Sequence, residues 1–371
     1  MPRKYRIVVL PGDGVGKEVI PEAAKILKTT ENTAGGLHLE FQQFDCGAEY
    51  WLKTGKKAEW PSEAFEACKK ADAILLGAVG LPNALRADGA PVGGDVVFGL
   101  RFGLDLFANV RPVKLYEGVP CPIAGKKAGD VDFVVVRENT EGMYAPIHGS
   151  LSRGERNELA VDVRVITEKG AERVVKYAFE LCKKRKGAPI DEKRRVTCVD
   201  KSNVLQGCVL FRSIYDKIAK NYPRIEKDYA YIDAFMQWLI RKPEFYDVVV
   251  TSNMFGDIIS ELAAAIAGGV GLAAAGNIGD MHAMFEPIHG SAPRIAGQNK
   301  ANPIGAILAG KMMLEWLSKT RNDAALKKAA GKIEKAVAMV LRARKTVTYD
   351  LGGNASTEMV GNAIVRLLTK V

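Results

Sequence analysis

Short apolar runs alternate with amphipathic stretches along most of the chain. The runs YRIVVL, LHLEFQQF, AILLGAV, DFVVVR, RVTCVD, DYAYID and YDVVVT have the length and composition of strands. Between them, stretches of helical period begin near Lys17, Pro61, Thr167 and Val204, and an alanine-rich helix follows YDVVVT. This rhythm predicts an α/β chain with largely parallel pairing, its sheets covered by helices. The last third turns helical, in NPIGAILAGKMMLEWL and NDAALKKAAGKIEKAVAMVLRAR. Residues 145–165, APIHGSLSRGERNELAVDVRV, break the rhythm. Their polar/apolar alternation around a charged turn predicts a projecting hairpin, the kind of arm that exchanges with a partner subunit.

With 371 residues, 47% of them hydrophobic, the chain can bury two medium cores, so two domains are expected. The apolar run IVVL near the N-terminus is cut by Pro-Gly, too short for a signal-peptide core. LAAAIAGGVGLAAAG, at 262–276, falls short of a membrane span and reads as a helix, a turn and the next strand. Six dispersed cysteines without a CxxC pair argue against a zinc site or a disulfide scaffold and for a reducing cytoplasm. The net charge of +10 permits anionic partners. The densest basic stretch, KKRKGAPIDEKRR at 183–195, is interrupted by acids and lacks aromatics, so it reads as a solvated loop and not a nucleic-acid surface.

Chemistry concentrates elsewhere. In TSNMFGDIISELAA, Asp257 and Glu261 share one helical face on the first turn after a strand. Two acids there either complement the helix dipole or hold a hard divalent cation. The loop PGDGVGKEV has glycines at 12, 14 and 16, which fits neither the dinucleotide fingerprint nor the P-loop. It reads as a tight turn whose amides open a helix and allow close approach of a ligand. Arg101 and Arg111 flank LDLFANV, the second followed by a proline that should stop regular structure. Arg137 closes the strand DFVVVR, the end at which α/β sheets place ligand-binding groups. Three such arginines suit a di- or tricarboxylate, although each alone reads first as a surface ion pair. Lys201 and Asp233 also stand at strand ends and Tyr144 ends RENTEGMY. Partial burial of Lys201 would lower its pKa toward a useful range.

The order of these motifs resembles the metal-dependent β-decarboxylating dehydrogenases, which include isopropylmalate, isocitrate, homoisocitrate and tartrate/malate dehydrogenases. The likeness runs from PGDGVGKEV through FANVRP, RENTEGMY, VDKSNVL, NMFGDIIS and GNIGD to EPIHGSAPRIAG, ANP and DLGG. It implies a two-domain fold distinct from the ordinary Rossmann fold: a large domain of residues 1–106 and 268–371 carrying the cofactor loop, and a small domain of 107–267 with the arm. It implies Arg101, Arg111 and Arg137 on the carboxylates of a substituted malate, Lys201 as general base and Tyr144 as proton donor. Asp257 and Glu261, with Asp233 from the other subunit of a homodimer, would hold Mg²⁺ or Mn²⁺, and Lys201 would come from that other subunit as well. The cation would stabilise negative charge during oxidation at C2 and loss of CO₂ from C3. The family usually has Asp where Glu261 stands, so this carboxylate would reach further or act through water.

The same resemblance places the dinucleotide on EPIHGSAPRIAGQNKANP, with Glu286 near the nicotinamide ribose, His289 and Asn302 near the adenine, and Gly290 and Ile295 in the same loop. Arg294 stands where NAD-dependent members carry an acid, and Tyr349, next to Asp350, resembles a tyrosine of NADP-dependent relatives. NADP is therefore the expected cofactor, with NAD possible. At the places where isocitrate-specific relatives have Ser and Asn, GGDVVFGLR has Asp95 and Val97, then Phe98. A buried acid would repel a third carboxylate, and Val97 with Phe98 would welcome a hydrocarbon. The expected substrate is a 3-alkylmalate, 3-isopropylmalate first, ahead of isocitrate, homoisocitrate, tartrate or D-malate. A non-catalytic regulatory subunit is the remote alternative.

Overall fold

The computed structural model describes residues 3–87, 89–154 and 156–370. Its strands in chain order are β1 (Arg3–Leu10), β2 (Leu37–Gln43), β3 (Ala73–Leu76), β4 (Ala108–Lys114), β5 (Asp132–Glu138), β6 (His148–Arg153), β7 (Arg156–Asp162), β8 (Arg195–Asp200), β9 (Glu226–Tyr231), β10 (Val248–Thr251), β11 (Ala274–Ile278) and β12 (Ala283–Pro287). The chain divides into two compact units, one of Met1–Leu106, Leu115–Ala128 and Ala264–Val371, the other of Phe107–Lys114 and Gly129–Ala263. Leu115–Ala128, expected with the second unit, belongs to the first, where the Tyr116 hydroxyl donates to Glu334 at 2.9 Å.

In the first unit β1 runs parallel to both β2 and β3, β3 runs parallel to β12, and β11 is antiparallel to β12. The apolar C-terminal half of β1, Ile7–Leu10, and all of β3 are buried, as a strand covered on both faces requires. The helix Ile304–Arg321 is buried over most of its length, which explains why IGAILAG carries apolar or small residues on every side. Asn322 ends it in the left-handed conformation at φ 49°, and the Asp323 side chain accepts from Ala325 N to cap the helix Ala324–Ala343.

The glycine loop is a packing junction in this unit. Gly12 and Gly14 have φ of 75° and 54°, and a Cβ on either would lie 2.0 Å from the Ala78 carbonyl or 2.1 Å from that of Ser291. Between them the buried Asp13 carboxylate accepts from the amides of Ala48, Glu49 and Gly80 at 2.6–2.8 Å. The close approach expected for a ligand is thus made to the protein's own backbone.

In the second unit β5, β10, β8 and β9 are parallel neighbours in that order, and β4 is antiparallel to β5. Register pairs Thr251 with Arg137 and with Val199, so these strands end together. The residues that follow them, including Lys201 and Asn253, therefore gather at one carboxyl edge. Arg111-Pro112 does not stop β4, which runs on to Lys114. The residue before a proline is forced into extended geometry, which a strand already has. The β6–β7 hairpin pairs His148 with Asp162 through Arg153 with Arg156, and it exposes Leu151, Leu159 and Val161. The basic stretch is only partly solvated. Arg195 is buried, bonds Asp191, Glu226 and the Phe245 carbonyl, and lies 3.8 Å over the Phe245 ring.

Candidate active site

The helix Asn253–Ile266 leaves β10 after one residue and carries Asp257 and Glu261 one turn apart. Neither acid is in its first turn, so the dipole reading loses its support, since that effect fades within one turn. Asp257 is the hub of a cluster in the second unit. Its Oδ1 accepts from Arg137 Nη1 and lies 3.2 Å from Arg111 Nη1, while its Oδ2 accepts from the Tyr144 hydroxyl at 3.0 Å. Arg137 is 1% exposed, and its Nε and Nη2 both donate to Asn253 Oδ1, at 2.9 and 2.7 Å. Arg111 donates to Ser260 Oγ at 2.7 Å and to Asn109 Oδ1 at 2.9 Å. Burial pushes the Glu261 carboxyl above its ordinary pKa, Arg111 and Arg137 pulling against that and Asp257 adding to it.

Asn253, Ser260 and Asn109 orient these arginines and were not singled out from sequence. The signal was present in NMFGDIIS: Asn253 precedes Asp257 by one helical turn, on the same face.

Lys201 and Asp233 form a second group. Lys201 Nζ donates to Asp233 Oδ1 at 2.6 Å, and that bond holds the Asp233 carboxyl below the usual range. Asp233 stands in the first turn of the helix Ile232–Arg241 and not at a strand end, because β9 closes at Tyr231. The Lys201 side chain, 26% exposed, faces a carboxylate and not an apolar enclosure. Among the described residues, neither Lys201 nor Asp233 bonds to Arg111, Arg137, Tyr144, Asp257 or Glu261, and no three His, Cys, Asp or Glu side chains stand close enough to hold a metal. Two carboxylates on one helical face suit a hard cation as a partial set that needs a further oxygen donor.

In the first unit, Arg101 lies on the helix Gly94–Gly103, 7% exposed, and donates to Glu286 Oε1 at 3.3 Å. Val97 is half-buried, and Phe98, 38% exposed, stacks on Phe102. Asp95 is exposed, contrary to the buried acid inferred from sequence, and pairs with Arg86 at 2.7 Å. Arg86 also bonds the buried Glu59 at 2.6 Å. Asp95 is thus neutralised by a residue of its own unit.

The loop after β12 brings several expected cofactor residues together. His289 Nδ1 bonds the Gly290 carbonyl at 3.0 Å, leaving Nε2 enclosed and without a partner among the described residues. Burial depresses the His289 pKa, opposed by the Gly290 bond and by the charge of Asp350. Asn302 donates to Asp350 at 3.0 Å and caps the following helix by accepting from Ile304 N. An enclosed imidazole acceptor with no partner fits a bound heterocycle that donates a hydrogen bond. Arg294 is exposed with no carboxylate paired to it among the described residues, while Ile295 is half-buried and Gly290 and Tyr349 are exposed. Among the described residues, no side-chain hydrogen bond joins Arg294, Ile295 or Tyr349 to the His289, Asn302 and Asp350 group.

Residues 6–364 match the family model described as isocitrate/isopropylmalate dehydrogenase. Among curated proteins, the chain is 43% identical over 354 residues to a 3-isopropylmalate/3-methylmalate dehydrogenase of Methanocaldococcus jannaschii, covering 95% of this chain and 96% of the relative. It is 43% identical to a 3-isopropylmalate dehydrogenase of Clavibacter sepedonicus, covering 100% and 99%. Among solved structures it is similar to an isocitrate dehydrogenase from Methylococcus capsulatus, at 35% identity and a TM-score of 0.86, covering 98% and 99%. A match along almost the whole length, joined to Arg137 at the end of β5 and the Asp257 helix, means that the chain belongs to the isocitrate/isopropylmalate dehydrogenase family.

Proposed function

We propose that this protein oxidises and decarboxylates a 3-alkylmalate, 3-isopropylmalate first, with NADP and a divalent cation, as a homodimer whose protomers complete one another's sites. The observation that carries the reading is the Asp257 hub, where two oriented arginines and a tyrosine hydroxyl meet one carboxylate. The relatives named for 3-isopropylmalate support the substrate.

Arg101, Arg111 and Arg137 hold the substrate's carboxylates, the last two exchanging Asp257 for them. Lys201, as the neutral amine, takes the proton of the C2 hydroxyl while hydride leaves C2, giving a 2-keto acid. The C3–carboxylate bond then breaks, CO₂ departs, and its electron pair forms the enolate. The Tyr144 hydroxyl returns a proton to C3. When bound, NADP supplies the hydride acceptor, and Mg²⁺ or Mn²⁺ on Asp257 and Glu261 of one protomer and Asp233 of the other supplies positive charge against the developing oxyanion.

Two features support the shared arrangement. Among the described residues, the Lys201–Asp233 pair makes no bond to the Asp257 hub of its own chain, and the hairpin and the helix Ile232–Arg241 expose Leu151, Leu159, Trp238 and Ile240. Six free cysteines, five of them buried, suit a reducing cytoplasm. No helix among the described residues is long and apolar enough to cross a membrane. Isocitrate is the second reading, favoured by the exposure of Asp95 and its pairing with Arg86, which removes the buried charge that would turn away a third carboxylate. Initial rates with 3-isopropylmalate, isocitrate, homoisocitrate, D-malate and tartrate test the proposal. A highest kcat/KM for 3-isopropylmalate supports it, and a higher one for isocitrate replaces it.

A further inference from the structure

The GNIGD stretch, residues 276–280, has no role in the reading above, yet Asn277 is wholly buried on β11. Register pairs Ala275 with Glu286 across the antiparallel β11–β12 ladder, so Asn277 is the diagonal neighbour of Glu286 on the same face. Its Nδ2 donates to Glu286 Oε1 at 2.8 Å, and that same oxygen accepts from Arg101 at 3.3 Å. One carboxylate oxygen thus serves both a fully buried amide and a nearly buried guanidinium.

Arg101 is under-served in this arrangement. It is 7% exposed, its bond to Glu286 is long, and its Nε is enclosed with no partner among the described residues. A buried guanidinium with unused donors is poised to take an anion. We infer that Asn277 is a positioning residue that holds Glu286 between Arg101 and the ribose hydroxyls of the dinucleotide, so that substrate and cofactor tighten each other's binding. The inference rests on the proposed roles of Arg101 and Glu286.

The sign follows from competition. A substrate carboxylate on Arg101 loosens its bond to Glu286, and the freed oxygen can accept from a ribose hydroxyl. A ribose hydroxyl on Glu286 in turn weakens its hold on Arg101 and releases donors for the carboxylate. Because the effect is a coupling free energy, each ligand must shift the other by the same factor. Asn277 matters because an unanchored Glu286 could follow Arg101 or turn away, and the exchange would be lost.

The test is equilibrium binding of NADPH to the full chain, read from nucleotide fluorescence with and without saturating 3-isopropylmalate and Mg²⁺, a mixture that cannot turn over. The wild type should bind NADPH about tenfold more tightly with substrate present. Asn277→Leu should bring that ratio to near one, with each ligand still bound alone. Glu286→Gln, which carries the test if the first variant fails to fold, should also abolish coupling and should bind 3-isopropylmalate alone more tightly than the wild type. Independent binding in the wild type, or coupling retained in a folded variant, overturns the inference and leaves the activity standing. A wild type that binds neither ligand overturns both.

Discussion

Asp257 and Arg137 are bonded to each other, and Arg137 is oriented by two further bonds to Asn253. The carboxylate of Asp257 is thus the shared partner of Arg137 and of any cation held on this helix. Asp257→Asn removes the charge that both the cation and Arg137 use, and kcat/KM should fall roughly a hundred- to a thousandfold. Turnover of the wild type should likewise vanish with excess EDTA and return with Mg²⁺ or Mn²⁺. Undiminished activity in either experiment contradicts the assignment.

Asn253→Ala should separate aim from charge. It leaves two donors of a buried guanidinium without their acceptor, which costs about 1–3 kcal/mol of stability. KM for the substrate should rise more than kcat falls, because Arg137 remains charged but is no longer oriented. Thermal melts and initial rates on the same preparation check both halves. An unchanged KM would mean that Asn253 is only a packing residue.

Shared sites make a prediction that no single-chain site can meet. Lys201→Ala and Arg137→Ala protomers should each be inactive alone, and after mixing through a denatured state they should recover roughly a quarter of wild-type activity. Half the dimers would be mixed, with one intact site of two. Verified mixed dimers without activity would count against the exchange of Lys201 and Asp233.

Part of this organisation was legible in the sequence, for reasons that particular residues make plain. Asp257 and Glu261 could be placed on one face because helical spacing is local, and Arg137 could be placed at a ligand-binding edge because DFVVVR is an unmistakable buried strand. Asp95 was misread because its exposure and neutralisation depend on Arg86, nine residues back and outside its helix. The glycine loop was misread for the same reason. Which backbone its glycines approach depends on Ala78 and Ser291, which no local pattern connects to it. Asp233 was placed one element early because β9 and the following helix meet without a turn, at Tyr231 and Ile232.

His289 gives a pH dependence of stability with a definite sign. Burial lowers its pKa in the folded chain below its unfolded value near 6.5, so the unfolded state takes up the proton first. Its contribution is fully present above that value and is lost as pH falls through it. Wild type should therefore lose stability relative to His289→Gln between about pH 7 and about pH 5. Parallel denaturant titrations across that range would show it, and parallel curves with no divergence would contradict it.

Arg294 is exposed and has no carboxylate paired to it among the described residues, so it is available to a 2′-phosphate. The wild type should prefer NADP, by the roughly 1.5–3 kcal/mol that a charge-assisted hydrogen bond supplies. Arg294→Asp should reverse the preference, since an acid repels the phosphate and accepts from a free ribose hydroxyl. If kcat/KM for both cofactors moves together on mutation, Arg294 does not read the phosphate.

Oxidation and decarboxylation of a 3-alkylmalate on this chain with a divalent cation would be seen by incubating the purified protein with 3-isopropylmalate, NADP and Mg²⁺ and measuring reduced cofactor and released CO₂ in the same vessel. The two should appear in equal amounts, both abolished by EDTA. Cofactor reduction without CO₂, or neither product with any 3-substituted malate and either cofactor, would contradict this reaction.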